Sequence, residues 1–448
     1  MGILSNRGLV MKRLDLEGII KECPKVLVMS HNCFSKNGSN GRTLGSFFLD
    51  WQSEDLAQFY ISNELPDGFV CSNYFRVLDI EALKAFYSGK KYWKTITGVN
   101  VEKVLEPGPP SLGKIYNKHK EKTAINYVIR NAVWNSCRWK PVEFDSWVDD
   151  FSPDIVLLQS GDYEFMIRIA LETATSRKIP VVLYNSEDYY FKDNKSLSPL
   201  YHFYRRSYKK QFERLMKYAS HTIYSNEMLQ ATYNEKFKHE STVILTATDL
   251  KPGIKKNGDK EFVASYLGNL GIGRHKPLIE IASALHAASA NAYLDVYGKT
   301  PNAEIEAELR SCPGLRLKGF VTYEEVSRIM TESDLLVHAE NDSEFSRRDL
   351  KHAFSTKIAD ALASGVCFLV YGPANIACVK YLRENNAACV ITERDALQQT
   401  VRNIVAEQGL REKYISNALR LAKQRHNPEI NLRLFREIVM GVVQGFGK

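Results

Sequence analysis

Residues 262–285 have the sequence FVASYLGNLGIGRHKPLIEIASAL, which contains the signals of both a strand and a helix. A short apolar run rich in β-forming residues ends at Gly268, and the loop that follows contains Gly271 and Gly273. From Pro277 the apolar residues recur with the 3.6-residue period of a helix. A strand, a glycine-rich turn and a helix in this order are typical of one unit of a parallel α/β sheet.

The same alternation of strand and helix recurs along most of the chain. Ten apolar runs are predicted to be strands, and they begin at Lys25, Asp154, Pro180, His221, Thr242, Phe262, Ala292, Leu315, Asp334 and Val366. Helical segments lie between most of them, and Thr322 with Glu325 forms a capping box at the start of one. The pattern indicates an α/β protein with doubly wound parallel sheets, whose ligands gather at the carboxyl ends of the strands.

A chain of 448 residues exceeds what one hydrophobic core usually organises. The polar sequence ATDLKPGIKKNGD at 247–259 separates the first five predicted strands from the last five. We therefore predict two Rossmann-like domains that face each other across a cleft, one formed by residues 1–248 and the other by residues 249–426. Residues 427–448 are predicted to form a helix that packs back toward the N-terminal domain.

Composition excludes several classes of protein. No apolar run approaches the ~20 residues of a membrane span, and no signal peptide is evident. The eight cysteines form no C-x-x-C pair, which favours reduced thiols and a cytoplasmic protein. The net charge of +8 is concentrated at residues 74–140 and 201–220. Any basic binding surface is therefore expected in the N-terminal half.

Candidate phosphate-binding residues follow the strand that opens the second series. Gly268 and Asn269 end this strand, and Arg274 and Lys276 stand at the start of the next helix. Cations beside open backbone suit a diphosphate, because charge-assisted hydrogen bonds to phosphate oxygens are strong. A solvated basic helix start would explain the same residues, so both interpretations stay open.

A second candidate lies in FSTKIADALASGVCFLVYG at 354–372. Ser355, Thr356 and Lys357 open a helix. Asp360 follows one turn later, on the same face as Lys357. A cation for phosphate and a carboxylate for ribose hydroxyls would fit a nucleotide, and a surface ion pair between Lys357 and Asp360 is the alternative.

The turn after the first strand, SKNGSNGRT, is rich in glycine. Gly38, Ser39 and Gly41 there would let backbone N–H groups approach a phosphate. The turn is neither G-x-G-x-x-G nor a P-loop, which weakens a dinucleotide or P-loop interpretation. A plain tight turn remains the alternative.

Carboxylates follow two other strands of the N-terminal half. Asp162 lies past one buried strand, and Glu187 and Asp188 lie past the next. Such residues face the cleft and the acceptor in this architecture, which makes Asp162 a catalytic candidate, although a helix cap is equally compatible. His31, after the first strand, is assigned to packing or hydrogen bonding. Because no Asp-x-Asp occurs, we expect neither a metal nor another cofactor, and cationic side chains should neutralise the diphosphate.

With these residues the chain resembles retaining glycosyltransferases of family 4, which have the GT-B fold, especially those of bacterial capsular and exopolysaccharide clusters. The resemblance runs from the first strand to about His426 and is most specific between Phe262 and Val390. It implies that the Gly38–Gly41 loop borders the donor and that Gly268 and Arg274 hold its diphosphate.

The resemblance also assigns the nucleotide-site helix. It implies that Lys357 contacts the donor and that Asp360 grips the ribose. Two glutamates commonly stand in this region of the family, and the earlier position is His352 here. Glu340 and Glu344 are therefore the candidates for contact with the donor sugar.

The function implied is transfer of a hexose or N-acetylhexosamine from a nucleotide-sugar, UDP-linked by expectation, to a polysaccharide or lipid-linked saccharide. Retention of anomeric configuration is implied, with Arg274 and Lys357 stabilising the leaving diphosphate. Two alternatives are kept: a degenerate GT-B subunit that binds a catalytic partner, and a sugar-nucleotide epimerase of the same fold. No nucleic-acid partner is expected.

One basic segment, residues 201–218 with the sequence YHFYRRSYKKQFERLMKY, predicts a helix with cations between aromatic residues. Such a helix suits the headgroup region of an anionic membrane. We therefore expect Tyr201–Tyr218 to place the protein at the inner face of the membrane, where a lipid-linked acceptor would be met. The alternative is a surface helix whose apolar face packs on its own domain.

Overall fold

Two parallel sheets, one in each half of the chain, organise the protein. The computed structural model describes residues 23–36, 39–67, 70–97, 123–192, 196–253 and 261–446. The first sheet contains β1 Val26–Ser30, β2 Leu56–Tyr60, β3 Asn73–Arg76, β4 Lys94–Thr97, β5 Ile155–Gln159, β6 Val181–Asn185, β7 His221–Tyr224 and β8 Ser241–Val243. The second contains β9 Phe262–Leu267, β10 Ala292–Tyr297, β11 Leu315–Gly319, β12 Leu335–Ala339, β13 Cys367–Tyr371 and β14 Cys389–Ile391.

Helices cover both faces of each sheet. In the first half they are α1 Ser39–Gly45, α2 Asp79–Ser88, α3 Ala124–Asn135, α4 Val142–Phe151, α5 Glu164–Arg177, α6 Pro199–Tyr218 and α7 Glu227–Phe237. In the second half they are α8 His275–Ala288, α9 Ala303–Ser311, α10 Tyr323–Glu332, α11 Glu344–Asp349, α12 Lys357–Ala363, α13 Ala377–Glu384, α14 Leu397–Ala406, α15 Gln408–Arg425 and α16 Pro428–Gly445. The predicted capping box of Thr322 and Glu325 starts α10.

The strand order places a ligand-binding edge in each sheet. The first sheet runs β4-β3-β2-β1-β5-β6-β7-β8, and β4 pairs antiparallel with β3 at its edge. The second runs β11-β10-β9-β12-β13-β14, with parallel pairing throughout. In both, the order reverses beside the first strand, and the crevice at such a point is where doubly wound sheets bind ligands. All ten predicted strands are present; β2, β3, β4 and β14 are additional.

Each face of the first sheet has its own core because strand side chains alternate. Val26 and Val28 of β1 point into one apolar cluster, while Leu27 and Met29 point into the other. Six of the eight cysteines are buried and none is disulfide-bonded, as the sequence predicts. No helix within the described ranges is both long and apolar enough to cross a bilayer.

The last helix, α16, packs against the first sheet although it follows the second. Phe435 is fully buried there, with its ring 5.0 Å from those of Phe47 and Phe48 and 5.6 Å from that of Trp51. Because the chain crosses between the halves before and after the second sheet, this helix ties the two halves together.

Candidate functional site

The loop after β9 is fixed by close backbone packing. A Cβ on Gly298, after β10, would lie 2.1 Å from the carbonyl oxygen of Gly268, so only glycine lets the two loops touch. Further along, Ile272 and Gly273 have positive φ values of 60° and 73°. A β-branched residue in this conformation is strained, and such strain persists only where the surroundings hold it. The loop therefore presents Arg274, the residue before α8, in a defined position.

Arg274 forms a two-point ion pair with Glu340, the residue after β12. Its Nε and Nη2 donate to Oε2 and Oε1 of Glu340, both at 2.9 Å. The Glu340 side chain is 4% exposed. Burial opposes its charge, but His338 and Arg274 outweigh burial and hold the pKa of Glu340 below its ordinary value. The pair is therefore ionised.

A small polar cavity of about 140 Å³ lies beside this ion pair. Its polar lining comes from the ends of β9 and β12 and the start of α12, namely Gly268, Asn269, Arg274, His338, Ser355 and Lys357. Burial lowers the pKa of Lys357, and the nearby cations Arg42 and Arg274 add to this, while Asp360 opposes it. The cavity thus contains largely buried cations, and a cation shielded from solvent binds phosphate oxygens more strongly than an exposed one.

Asp360 lies one turn into α12 and is held from the linker between the sheets. Thr248 Oγ1 donates to its Oδ1 at 2.5 Å. Burial raises the pKa of Asp360, against the hydrogen bond from Thr248 and the charge of Arg42. Asp360 therefore has a hydrogen-bond partner of its own, which the surface ion-pair interpretation does not include.

The structure brings most of the predicted donor residues together. Gly268, Asn269, Arg274, Ser355 and Lys357 line one cavity, and Glu340 contacts it through Arg274. Thr356 is the residue before α12.

Two predicted donor residues lie away from this cavity. Lys276 is exposed on the first turn of α8, and Glu344 is exposed on α11, so Glu340 is the better placed of the two glutamate candidates. His338 also lines the cavity, but it is not among the site residues predicted from the sequence. The alternation of β12 could have found it, because residues two apart on a strand share a face and His338 precedes Glu340 by two.

The glycine-rich loop of the N-terminal half is only partly described. Gly38 lies outside the described residues, and Ser39 is described only as the first residue of α1. A Cβ on Gly41 would lie 2.2 Å from the carbonyl oxygen of Cys33, so this glycine is required for packing. The charge of Arg42 lowers the pKa of both Lys357 and Asp360, which belong to the other half of the chain. The α1 helix therefore lies on the cleft side of the first half.

Asp162 is held by tyrosines rather than by a helix cap. Tyr127 Oη donates to Asp162 Oδ2 at 2.7 Å, and Tyr204 Oη donates to the Asp162 carbonyl at 2.6 Å. Next to it, the rings of His31 and Tyr163 stack 5.2 Å apart. The predicted packing role of His31 agrees with this contact. Asp162 and its aromatic neighbours form the carboxyl edge of the first sheet.

Asp188 and His352 join the two halves of the protein. His352 Nδ1 lies 3.2 Å from Asp188 Oδ2, and its Nε2 lies 3.0 Å from Thr232 Oγ1. Burial opposes the charge of Asp188, but hydrogen bonds from His352, Phe191 and Tyr233 hold its pKa below the ordinary value. The Asp188 carboxylate is used in this contact between the halves, and its predicted position toward the acceptor stays a prediction. His352 is used in the same contact.

The predicted basic helix is α6, and six of its twenty residues are buried. Tyr204, Tyr208, Phe212 and Leu215 are buried, so the aromatic residues between the cations mostly pack inward. Arg205 is also buried and donates to the carbonyls of Tyr189 and Tyr190 at 2.9 and 2.8 Å. These residues were wrongly expected at a membrane surface.

A different surface of α6 remains exposed. Phe203 is 65% exposed, and Leu197 and Leu200 before it are exposed as well. An open groove of about 890 Å³ runs beside them and is lined by Tyr201, His202, Phe203, Arg206, Lys209 and Lys210, among others. The exposed surface of α6 is therefore apolar at its beginning and basic further along.

Comparison with known proteins places this geometry in a class. Residues 277–436 match the family described as glycosyl transferase-like. HepE of Anabaena, solved with UDP and glucose, superposes with a TM-score of 0.59 at 12% identity, covering 93% of this chain and 100% of that chain. Sucrose-phosphate synthase of Thermosynechococcus elongatus gives 0.59 at 11% identity, covering 93% and 99%. No curated protein sequence matches the chain.

The structure therefore has the GT-B fold, as predicted. The match over residues 277–436 is a similarity to glycosyltransferases, and it agrees with the predicted enzyme class. The matched residues include His338 and Lys357, which line the cavity, while Arg274 precedes the matched range.

Proposed function

We propose that this protein is a retaining glycosyltransferase that moves a hexose or N-acetylhexosamine from a UDP-sugar to a polysaccharide or lipid-linked saccharide. The observation that carries this proposal is the cavity where Arg274 and Lys357 converge at the carboxyl ends of β9 and β12. Retention, the family 4 assignment and the capsular or exopolysaccharide setting rest on the resemblance of the sequence. The UDP-bound HepE structures support the choice of nucleotide.

The donor diphosphate is assigned to Arg274 and Lys357. As the bond from the sugar to the diphosphate breaks, negative charge grows on the leaving phosphate oxygen. Fixed cations in a water-poor site stabilise this charge without reorganising. Asp360, on the same helix as Lys357, would accept hydrogen bonds from the ribose hydroxyls, while Gly268 and Asn269 let backbone approach the phosphates. Catalysis requires no metal in this proposal.

The acceptor is assigned to the edge of the first sheet around Asp162. Its carboxylate, with Tyr127 and Tyr163 beside it, offers a hydrogen-bond acceptor and ring faces, the groups that commonly bind sugars. Closure of the cleft over both substrates would exclude water and protect the donor from hydrolysis.

UDP is expected to raise the unfolding temperature of the protein clearly, whereas uridine, which lacks the diphosphate, should have little effect. At about 100 times its dissociation constant, a ligand adds about 2.7 kcal/mol to the free energy of unfolding. A thermal-shift series with uridine, UMP, UDP, GDP and ADP measures this. Turnover of UDP-glucose and UDP-N-acetylglucosamine, with NMR of the product's anomeric configuration, then tests transfer and retention. Equal shifts for uridine and UDP would contradict the diphosphate assignment.

We also propose that the exposed surface of α6 binds an anionic membrane, where a lipid-linked acceptor resides. Arg206, Lys209 and Lys210 line the groove beside exposed Phe203 and Leu200. Cations near an anionic surface contribute about 1 kcal/mol each, and apolar side chains beside them can enter the interface. Arg206, Lys210, Phe203 and Leu200 are exposed, and Lys209 is partly exposed.

Charge reversal at Arg206, Lys209 and Lys210 is expected to weaken binding to phosphatidylglycerol vesicles by roughly 100-fold or more, at about 1 kcal/mol per residue. Sedimentation with vesicles at low salt measures the effect, and UDP affinity should not change. The matched control reverses three exposed cations of α15, Lys413, Arg420 and Lys423, and should bind vesicles normally. Equal binding by both triple variants would show that α6 is scaffold only.

A further inference from the structure

His338 is a buried histidine in the cavity to which no role has been given above. It is the second-last residue of β12 and lies on the same face as Glu340. Its Nε2 is 3.3 Å from Glu340 Oε1, and its side chain is 13% exposed. Cys378 Sγ, at the start of α13, is 3.7 Å from the same nitrogen. Glu340 therefore lies between two partners, His338 on one side and Arg274 on the other.

The net charge around this cavity depends on whether Glu340 has a second cationic partner besides Arg274. If Glu340 paired with Arg274 alone, the two would cancel, and Lys357 would be the remaining cation among the lining residues. A protonated His338 adds a charge to the cluster. Three cations and one carboxylate leave a net charge of about +2, which matches a diphosphate.

We propose that His338 is a positioning residue of the donor site: its imidazolium shares the Glu340 carboxylate with Arg274 and so keeps Arg274 available to the donor diphosphate. The proposal rests on the proposed function, because it needs a diphosphate ligand in this cavity. The alternative is that His338 only packs between Glu340 and Cys378. In that case the charge of His338 would not affect ligand binding.

The protonation of His338 agrees with this geometry. Burial alone would lower its pKa, but the neighbouring Cys378 and Glu340 raise the pKa of His338 to about 10. The groups that face it are Glu340 just after its own strand, Cys378 on α13, and Arg274 and Lys357 across the cavity. Because a raised pKa means that the charged form is present below it, the imidazolium persists at neutral pH and is lost as the pH rises through 10.

The test is a cycle of charge-neutral variants with UDP as the ligand, measured by calorimetry. His338→Gln should weaken UDP binding about tenfold, since one charge acting over a few ångströms is lost. Glu340→Gln should bind UDP at least as tightly as the unaltered protein. The double variant His338→Gln/Glu340→Gln should return to within about threefold of the unaltered protein, because its net charge is again about +2.

A purely structural histidine predicts no such rescue. Unchanged affinity in His338→Gln, or a double variant no tighter than His338→Gln, overturns the proposal. If His338→Gln does not fold, NMR titration of the His338 ring in the unaltered protein decides, since a neutral ring at pH 8 also overturns it. Failure of the unaltered protein to bind UDP overturns the proposed function itself, and the two failures are thus distinguished.

Discussion

Lys357→Ala is expected to lower the turnover of a UDP-sugar by roughly 100-fold or more while the protein stays folded. Lys357 opens α12 inside the donor cavity, where the departing diphosphate gains charge. Removing one fixed group that stabilises such charge typically costs about 3–4 kcal/mol in the transition state. Burial opposes the charge of this lysine, so removing the ammonium should not weaken the fold through lost charge, and the loss should appear in kcat.

Arg274 should behave in the same way, but its removal needs a companion change. Arg274→Ala alone leaves the buried Glu340 carboxylate without its two-point partner, which destabilises the protein. The double variant Arg274→Ala/Glu340→Gln avoids this and should still lose roughly 100-fold in turnover. Release of UDP measured by chromatography follows the rate, and Lys380→Ala, an exposed lysine of α13, is the matched control. Near-normal activity in a folded Lys357→Ala protein would remove Lys357 from the mechanism.

Phe435→Ala is expected to cost about 3–5 kcal/mol of unfolding free energy, the usual effect of emptying a buried aromatic position. The Phe435 ring is fully buried and contacts the rings of Phe47, Phe48 and Trp51, which belong to the first half of the chain. Small side chains cannot fill this space, because the surrounding rings are held by the sheet. Denaturant unfolding followed by tryptophan fluorescence measures the change, since Trp51 is one of the contacts.

The matched control for Phe435 is Ile430→Ala in the same helix. Ile430 is 36% exposed, so its truncation should cost clearly less than that of Phe435. Similar losses in the two variants would mean that the change follows helix propensity rather than the contact with the first sheet. A loss below about 1 kcal/mol in Phe435→Ala would show that α16 does not tie the halves together.

Much of the donor side could be predicted because its residues follow the strands directly. In a parallel sheet the carboxyl ends meet at one edge, so Gly268 after β9 and Ser355 and Lys357 at the start of α12 are brought together by the sheet order. Two of the four strands that sequence reasoning missed, β4 and β14, lack a clear apolar run of their own. β4, with the sequence KTIT, is half exposed, and β14 has three residues, so neither has a periodicity that could be recognised.

The α/β class, ten of the strands and the convergence of cations near β9 and α12 could be predicted from the sequence, because they follow from local periodicity and from the direction of parallel strands. The ion-pair and hydrogen-bond partners of each side chain depend on the tertiary structure and could not be predicted from the sequence. Glu340 pairs with Arg274 across 66 residues, and His352 meets Asp188 in the other half. Such pairs depend on which surfaces touch after folding. A sequence pattern that repeats every two or four residues does not indicate which residues far apart in the sequence will contact each other.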